Sequence, residues 1–482
     1  MIKVYAPNLH LFAFHLIQGD KPTRLWDYYT DCLQPHFALP NLGKLRSLPS
    51  GIRAYLHPNG QTEVFIPLTG QLPASKTSET AVGIPITGLV SPVQLYDSYG
   101  LALNLRIPEG EDATRQPTAA VDLSIFQQFN TEQIFRPKYI HSNLGQTLLL
   151  TAWLEPPERE QRENWQDIAQ QILANFLHGE SLPPLYQAGH LFGSPIYEYG
   201  SPTVPNAQGQ IEHYLIWLFI NSNGDENLNH CYQELFDLWF YRHKITTACH
   251  YSREDLEAIK SQYGEIKCIF SDIPNTIDPA AELLSPETLT TLKTQLKALP
   301  KRDLEYTEAL SAFENRQLAL RINNANYGEK IAAIQARTIS EDISFLASFG
   351  TNNAATLIKQ MQYEVGYFGQ GSRWIDKSIS TIRGLVEIDQ AERDLQRRKQ
   401  EQALQDNISA IGVGVAAGAI VASSSGLIME PWYWGRQEID SPWQLPHPFF
   451  IGVVGSGILA VIAWGLTKAW LQFRRQQHDS DP

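Results

Sequence analysis

Near the end of an uncharged run over residues 407–429, three consecutive hydroxyls, Ser423, Ser424 and Ser425, stand a few positions ahead of the carboxylate of Glu430. Hard divalent cations take oxygen donors. Magnesium gives up its waters so reluctantly that a ring of oxygens suits the hydrated ion. Asn407 opens the run with an amide, so Asn407, Ser423, Gly426 and Glu430 are the candidates for an ion path. A second pattern crosses the first. Ala410, Gly414, Gly418, Ala422 and Gly426 put a small residue at every fourth position, and Gly414 to Gly418 is a G-x-x-x-G step. Gly452, Ser456 and Ala460 repeat the spacing. Small residues let helix backbones approach closely, so Gly414, Gly418, Gly452 and Ser456 are read as packing positions. The stripe is either buried between helices or turned to a narrow pore. Plain helix packing with a polar helix end accounts for the same residues, and that alternative stays open.

Other constellations are weaker. His230, Cys231, His243, Cys249 and His250 lie close together and raise the question of zinc. Their spacing matches no common zinc module, and adjacent residues such as His230 and Cys231 hardly reach one ion from a helix. No firm metal set follows. No cofactor is expected beyond a divalent cation, such as magnesium, as transported or regulatory ion. In the charged stretch after Val386, Asp389, Glu392 and Asp394 are candidates for sensing such a cation, with a solvated charged face as the simpler account. The chain has no G-x-x-x-x-G-K-[ST] loop and no G-x-S-x-G elbow, and nothing in it points to an enzyme.

These residues need elements to position them. Residues 407–429 and 441–467 carry no formal charge, and each is long enough to cross a hydrocarbon core of roughly 30 Å. Two spans are expected, one with its core at 408–429 and one over about 449–471. Arg393, Arg397, Arg398 and Lys399 precede the first, and Lys468, Arg474 and Arg475 close the second. The loop 430–447 has only Arg436 beside Glu430, Glu438 and Asp440. By the positive-inside rule both termini are cytoplasmic and the loop is outside, with Trp432, Tyr433, Trp434 and Trp443 at the headgroups. Residues 1–18 are broken by Pro7, Asn8, His10 and His15 and are not expected to be a secretion signal. The expected location is the cell membrane, multi-pass, with lipid as a partner. Two spans cannot enclose a water-filled path, so transport requires a homo-oligomer.

Upstream, proline punctuates. The chain has 29, yet none between Pro300 and Pro431, so this block reads as helical. Ser285-Pro286-Glu287 looks like a helix start, and Leu289, Leu292, Leu296 and Leu299 follow before Pro300 ends that helix. Further helices are expected over 303–323 and 329–349, with a break at Gly366, Gly369 and Gly371. A rod of about 54 Å is expected over 372–407, with a 4-3-4 seam of Ile375, Ile379, Ile382 and Val386. Before the helical block, three segments pair an apolar strand with an amphipathic helix: 10–17 with 23–33, 147–154 with 163–177, and 213–220 with 227–241. A hairpin with an Asn59-Gly60 turn is expected between 52–56 and 62–66. Strands alternating with helices indicate an α/β sandwich. The expected division is an α/β domain over 1–280, a helical layer over 281–371, and a stalk running into the first span over 372–429. Then come the loop 430–447, the second span at 448–471 and a tail at 472–482.

Composition sets the limits. With 51 acidic against 38 basic residues among 482, the net charge is -13, so no nucleic-acid partner is expected. Charged residues make up 18% and aromatics 11%, which allows a large core and excludes global disorder. The four cysteines are scattered without a CxxC pair and are expected to be reduced thiols.

This order of parts resembles the CorA-like family of magnesium and divalent-cation transporters. The likeness is closest over 372–482. There, Ile382-Arg383-Gly384-Leu385-Val386-Glu387-Ile388-Asp389-Gln390-Ala391-Glu392-Arg393 resembles the family's stalk, and Pro446 to Phe450 its entry to the second span. The resemblance implies a homopentamer whose first spans line the pore and whose stalks continue the path. At the end of the first span the family carries Gly-Met-Asn. This chain has Gly426-Leu427-Ile428-Met429-Glu430, with no Asn after the Gly. The expected function is an oligomeric membrane channel or transporter for divalent cations. The alternative is a membrane-anchored cytosolic sensor or effector without ion transport.

Overall fold

Alternation along the first strand, β1 (Lys3–Leu16), sets the architecture of the first half. Successive side chains leave a strand on opposite faces. Leu9, Leu11 and Ala13 join one large apolar cluster, while Phe12 and Phe14 stack on Tyr232, Phe236 and Phe240 on the other side. The sheet is therefore buried on both faces. The computed structural model describes residues 2–17, 25–47, 65–72, 84–95, 97–107, 120–136, 140, 142–202, 211–276, 283–338, 341–425 and 448–478. The hairpin turn expected at 57–61 and the loop expected at 430–447 lie outside them.

The other strands are β2 (Ile66–Leu72), β3 (Ile84–Leu95), β4 (Ser98–Arg106), β5 (Val121–Asp122), β6 (Gly145–Leu154), β7 (Leu185–Leu191), β8 (Ser194–Tyr199) and β9 (Tyr214–Phe219). They form one sheet in the order β2-β3-β4-β1-β6-β9-β8-β7, with β5 on β1. Among the described residues only β6 and β9 pair in parallel; the remaining pairs are antiparallel. The α/β class is thus as expected, with a sheet that is mixed and mainly antiparallel. One face carries α1 (Leu25–Phe37) and α2 (Trp165–Phe176). In α2, Trp165, Ile168, Ala169, Ile172, Leu173 and Phe176 are buried, the stripe of a helix lying on a sheet. A short helix α3 (Ser222–His230), N-capped by Asn221, follows β9.

Four long helices follow, together with one of moderate length: α4 (Tyr232–Thr276), α5 (Pro286–Gln335), α6 (Ala355–Phe368), α7 (Gln370–Ser425) and α8 (Pro448–His478). Buried side chains recur at every seventh position along α4, α5, α6 and the first part of α7. In α4 these are Ile245, Ser252, Ile259, Ile266 and Ile273; in α5, Leu292, Leu299, Tyr306, Phe313, Leu320, Tyr327 and Ile334. Met361, Phe368, Ile375, Ile382 and Asp389 continue the rule through α6 and α7. A seven-residue period keeps one seam turned to a neighbour over a great length. This explains why α5 runs through Pro300, where a helix end was expected. The missing N–H costs one backbone bond, while the apolar seam on both sides favours continuation. The glycine break is a single residue, Gly369, itself in right-handed helical geometry.

The chain divides into two compact units, Met1–Lys267 with Arg302–Arg373, and Cys268–Lys301 with Trp374–Pro482. The first holds the sheet. The second buries Ile273, Leu292, Leu299, Ile375, Ile382 and Val386, and stacks Phe270 on Trp374 at 5.9 Å between ring centroids.

Candidate functional site

In the second unit, two stretches are long and apolar enough to cross a membrane, one ending at Ile420 in α7 and one at Gly452–Leu471 in α8. Only 11% and 6% of their most apolar windows are buried within the chain. The core helix of a soluble protein would be mostly buried, whereas these two stretches leave most of their apolar side chains exposed on the chain.

What α7 and α8 do bury is the small-residue stripe. Ala410 and Gly414 are buried in α7 and Ser456 in α8, with Gly418 and Gly452 half-buried. A Cβ placed on Gly414 would lie 2.9 Å from the Ala460 carbonyl oxygen and 3.2 Å from Trp464 Cβ. One on Gly418 would lie 3.2 Å from Ala460 Cβ. The Ser456 hydroxyl turns back to donate to the Gly452 carbonyl at 2.5 Å, so it adds no polar group to the contact. The stripe thus faces the second apolar helix of the same chain. At 3.6 residues per turn, Gly412, Ala416, Ala419 and Ser423 fall on the opposite side of α7, and all four are exposed. Ser423 donates to the Ile420 carbonyl at 2.9 Å. Asn407 is exposed on α7 below this face, whereas Gly426 and Glu430 lie outside the described residues.

Asp389 takes the next step of the buried seven-residue repeat in α7 and is 2% exposed. A carboxylate there needs partners. Arg393 Nε donates to it at 2.8 Å, the Leu284 N–H donates at 3.1 Å, and Arg393 also donates to the Leu284 carbonyl at 2.8 Å. The Arg393 hydrogen bond holds Asp389 below the usual carboxylate range. Both of its oxygens are engaged inside the chain, and it pins the segment entering α5; Glu392 beside it is exposed. Asp389→Ala is expected to raise hydrogen exchange at the Leu284 amide by about tenfold, the equivalent of one hydrogen bond of ~1.4 kcal/mol. Mass spectrometry of the peptide spanning 283–290 reads this out.

Sequence reasoning missed a buried charge cluster in the first unit. Glu198 on β8 is 1% exposed, Arg242 on α4 2% and His213 3%. Arg242 approaches Glu198 Oε1 at 2.5 Å, and His213 Nε2 approaches the same oxygen at 3.3 Å. Thr147 on β6 bridges His213 Nδ1 at 2.7 Å and His243 Nε2 at 2.9 Å. The carboxylate requires a proton on His213 Nε2, so neutral His213 accepts at Nδ1 from the Thr147 hydroxyl. Thr147 then accepts from His243 Nε2–H. The result is a directed hydrogen-bond chain from His243 through Thr147 to His213; Glu198 lies within ionic range of His213 and Arg242, without hydrogen-bond geometry between His213 Nε2 and its Oε1. Burial alone would raise Glu198, but Arg242 and His213 outweigh it and hold the carboxyl low. Burial, then Arg242, pushes His213 down to about 4. Burial pushes His10 down to about 3 and His243 well below its ordinary value. The sequence signal was a lone Glu in the strand Ser194–Tyr199 and a lone Arg after Trp239-Phe240-Tyr241. Of the zinc candidates, His243 is committed to Thr147 and Cys231 is buried, and no metal-holding group forms among the described residues.

These histidines set an acid limit. Their folded-state values lie below the unfolded value of 6.5, so below that pH the unfolded chain binds more protons. Stability is complete above about pH 6.5 and declines from there towards pH 4, by about 1 kcal/mol per pH unit for each histidine. Tryptophan-fluorescence melting of the detergent-solubilised protein between pH 7.5 and 4.5 is expected to show a monotonic fall. A flat profile down to pH 5 would contradict neutral buried histidines.

The β7–β8 hairpin carries a further tie. Phe192 and Gly193 have φ of 51° and 74°, the left-handed pair of a tight turn, for which Gly193 is suited. Their N–H groups both donate to the Glu341 carboxylate, Phe192 at 2.6 Å.

No family model matches the chain, and no curated protein matches it. Among solved structures, it is similar to the CorA magnesium transporter from Methanocaldococcus jannaschii. Identity is 10%, coverage 66% of this chain and 89% of that one, and the TM-score 0.17. It is also similar to the full-length CmaX protein, at 12% identity, coverage of 69% and 89%, and a TM-score of 0.15. Likeness at this level says nothing about activity.

Proposed function

We propose that this chain is one subunit of an oligomeric membrane channel for divalent cations, with α7 lining the path. The observation that supports it is the two-sided helix. One small-residue face of α7 is taken by α8, and a second, Gly412, Ala416, Ala419 and Ser423, is left open. An axis surrounded by that second face would present short side chains and a serine hydroxyl, leaving room for an ion that keeps its waters. The resemblance of residues 372–482 to CorA-like transporters points the same way. Glu430, one residue beyond Met429, would draw cations to the mouth in place of an Asn carbonyl. A divalent ion crossing the full potential gains about 4.6 kcal/mol per 100 mV, sufficient to drive inward flow without a coupled reaction. In this reading both termini are cytoplasmic and the α/β unit is a cytosolic body.

The absence of Asn after Gly426 favours a second reading, an anchored sensor without transport. Cysteine accessibility separates the two. In reconstituted protein, single cysteines at 412, 416, 419 and 423 are expected to react with a charged thiol reagent at least tenfold faster than those at 410 and 414. Equal, slow reaction on both faces would remove the water-filled path and leave the sensor.

A further inference from the structure

The first unit contains a cleft of about 540 Å³ between α5 and the start of α6 that the ion path does not use. Its volume is that of a small-molecule site. Two cations line it, Arg321 from α5 and Lys359 from α6, and no carboxylate does. In a chain with 51 acidic and 38 basic residues this is a local reversal of sign. Neither cation has an ion-pair partner among the described residues. Asn324, also in the lining, has a buried Oδ1 without a hydrogen bond, 3.1 Å from where a Cβ on Gly350 would stand. Ala355 and Ile358 give the cleft an apolar strip.

The wall of the cleft is built rather than loose. It begins in a π-helical turn, Phe349–Ala354, a distortion that persists only where packing enforces it and that often marks function. Tyr327 donates to the Leu346 carbonyl at 2.8 Å, Tyr186 to Asn353 at 2.7 Å, and Arg242 lies 4.3 Å from the Phe349 ring centroid. The wall is thus set before a ligand arrives, whereas Arg321 and Lys359 are exposed and lose side-chain entropy on binding it.

We infer that this cleft binds a soluble phosphate ester of mononucleotide size. Arg321 and Lys359 would take the phosphates, and Ala355 and Ile358 would receive the organic part. Two unpaired cations call for a ligand with at least two negative charges, and the guanidinium fork matches phosphate oxygens. The uncharged strip would add nothing for an inorganic ion. The site is independent of the ion path, so its test stands whether or not the chain conducts.

The test is isothermal titration of the full-length protein in phospholipid-free detergent, with ATP and inorganic triphosphate as probes, at low ionic strength and without magnesium. ATP is expected to bind below 1 mM and about tenfold tighter than triphosphate. Arg321→Gln and Lys359→Gln should each weaken ATP about tenfold, and the exposed control Lys297→Gln should leave it unchanged. Melting curves confirm that the variants are folded. No binding of either probe, or binding that survives the double variant, overturns the site, and equal affinity for the two probes overturns the ester. Stabilisation by phosphatidic acid in nanodiscs, lost in the double variant, with no response to soluble probes would assign a lipid headgroup and contradict the proposal.

Discussion

Gly414→Leu is expected to part the two apolar helices, whereas Gly412→Leu is not. The difference lies in what a side chain would meet. At Gly414 a Cβ would already be 2.9 Å from the Ala460 carbonyl oxygen and 3.2 Å from Trp464 Cβ; at Gly412 nothing lies within 4 Å. Both neighbours at Gly414 are held by a helix backbone, so neither gives way. Overpacking of this kind costs about 1–3 kcal/mol, which is a roughly five- to 150-fold loss of the paired state. A disulfide measures it. Gly418→Cys with Ala460→Cys would place two Cβ atoms about 3.2 Å apart, a few tenths of an ångström short of the usual disulfide span of roughly 3.5–4.5 Å, so the pair should oxidise after a small outward shift. Adding Gly414→Leu is expected to cut the oxidised fraction at least fivefold, and adding Gly412→Leu to leave it intact. If both additions behave alike, the packing face has been assigned to the wrong side of α7.

Arg242→Met should be the most destabilising single change in the first unit. Glu198 is 1% exposed, and methionine would leave its carboxylate with His213 alone. Removing one partner of a buried pair costs about 3–5 kcal/mol, because the other charge stays behind unpaired. The guanidinium also covers the Phe349 ring, so that contact is lost too. Combining Arg242→Met with Glu198→Gln removes both charges and should recover at least half of the loss. The readout is the melting temperature of detergent-solubilised protein at pH 7.5. A double variant as unstable as Arg242→Met alone would mean that side-chain volume, not the unpaired charge, carries the effect.

Much of this architecture was legible because burial leaves periodic traces. The strand now seen at Gly145–Leu154, the stripe of Trp165–Phe176 and the strand Tyr214–Phe219 were all read within a few residues. The strands β2, β3, β4, β5, β7 and β8 were not. Pro67, Pro85, Gly88 and Pro92 punctuate β2 and β3, and sequence patterns treat such residues as turns. In β3 Gly88 instead marks a close approach, since a Cβ there would strike the Asn104 carbonyl. Helix length was also underread. The span 227–241 was expected where α3 and the 45-residue α4 stand, because the buried residues beyond Cys249, namely Ser252, Ile259, Tyr263, Ile266 and Ile273, are too sparse to read as an amphipathic face. Pro300 hid the continuity of α5 for the same reason.

The sites divide similarly. Small residues at fourfold spacing suggested a helix-packing surface, but spacing alone could not say which neighbour it would meet; in the fold Gly414 and Gly418 lie against Ala460 of α8. The open face of Gly412, Ala416, Ala419 and Ser423 is visible only once that neighbour is in place. Asp389 resembled a solvent-facing carboxylate because its partner Leu284 is remote in sequence. The Glu198 cluster joins four elements, β6, β8, the residue before β9, and α4, that no local pattern connects.

Conduction of divalent cations by an oligomer of this chain can be measured outright, with purified protein in liposomes loaded with a divalent-sensitive dye. The oligomer mass is determined in the same preparation. A symmetric oligomer is expected, with magnesium entry that grows with an inside-negative potential and falls when Glu430 is replaced by Gln. A monomer or dimer that passes no divalent ion under any gradient would refute conduction.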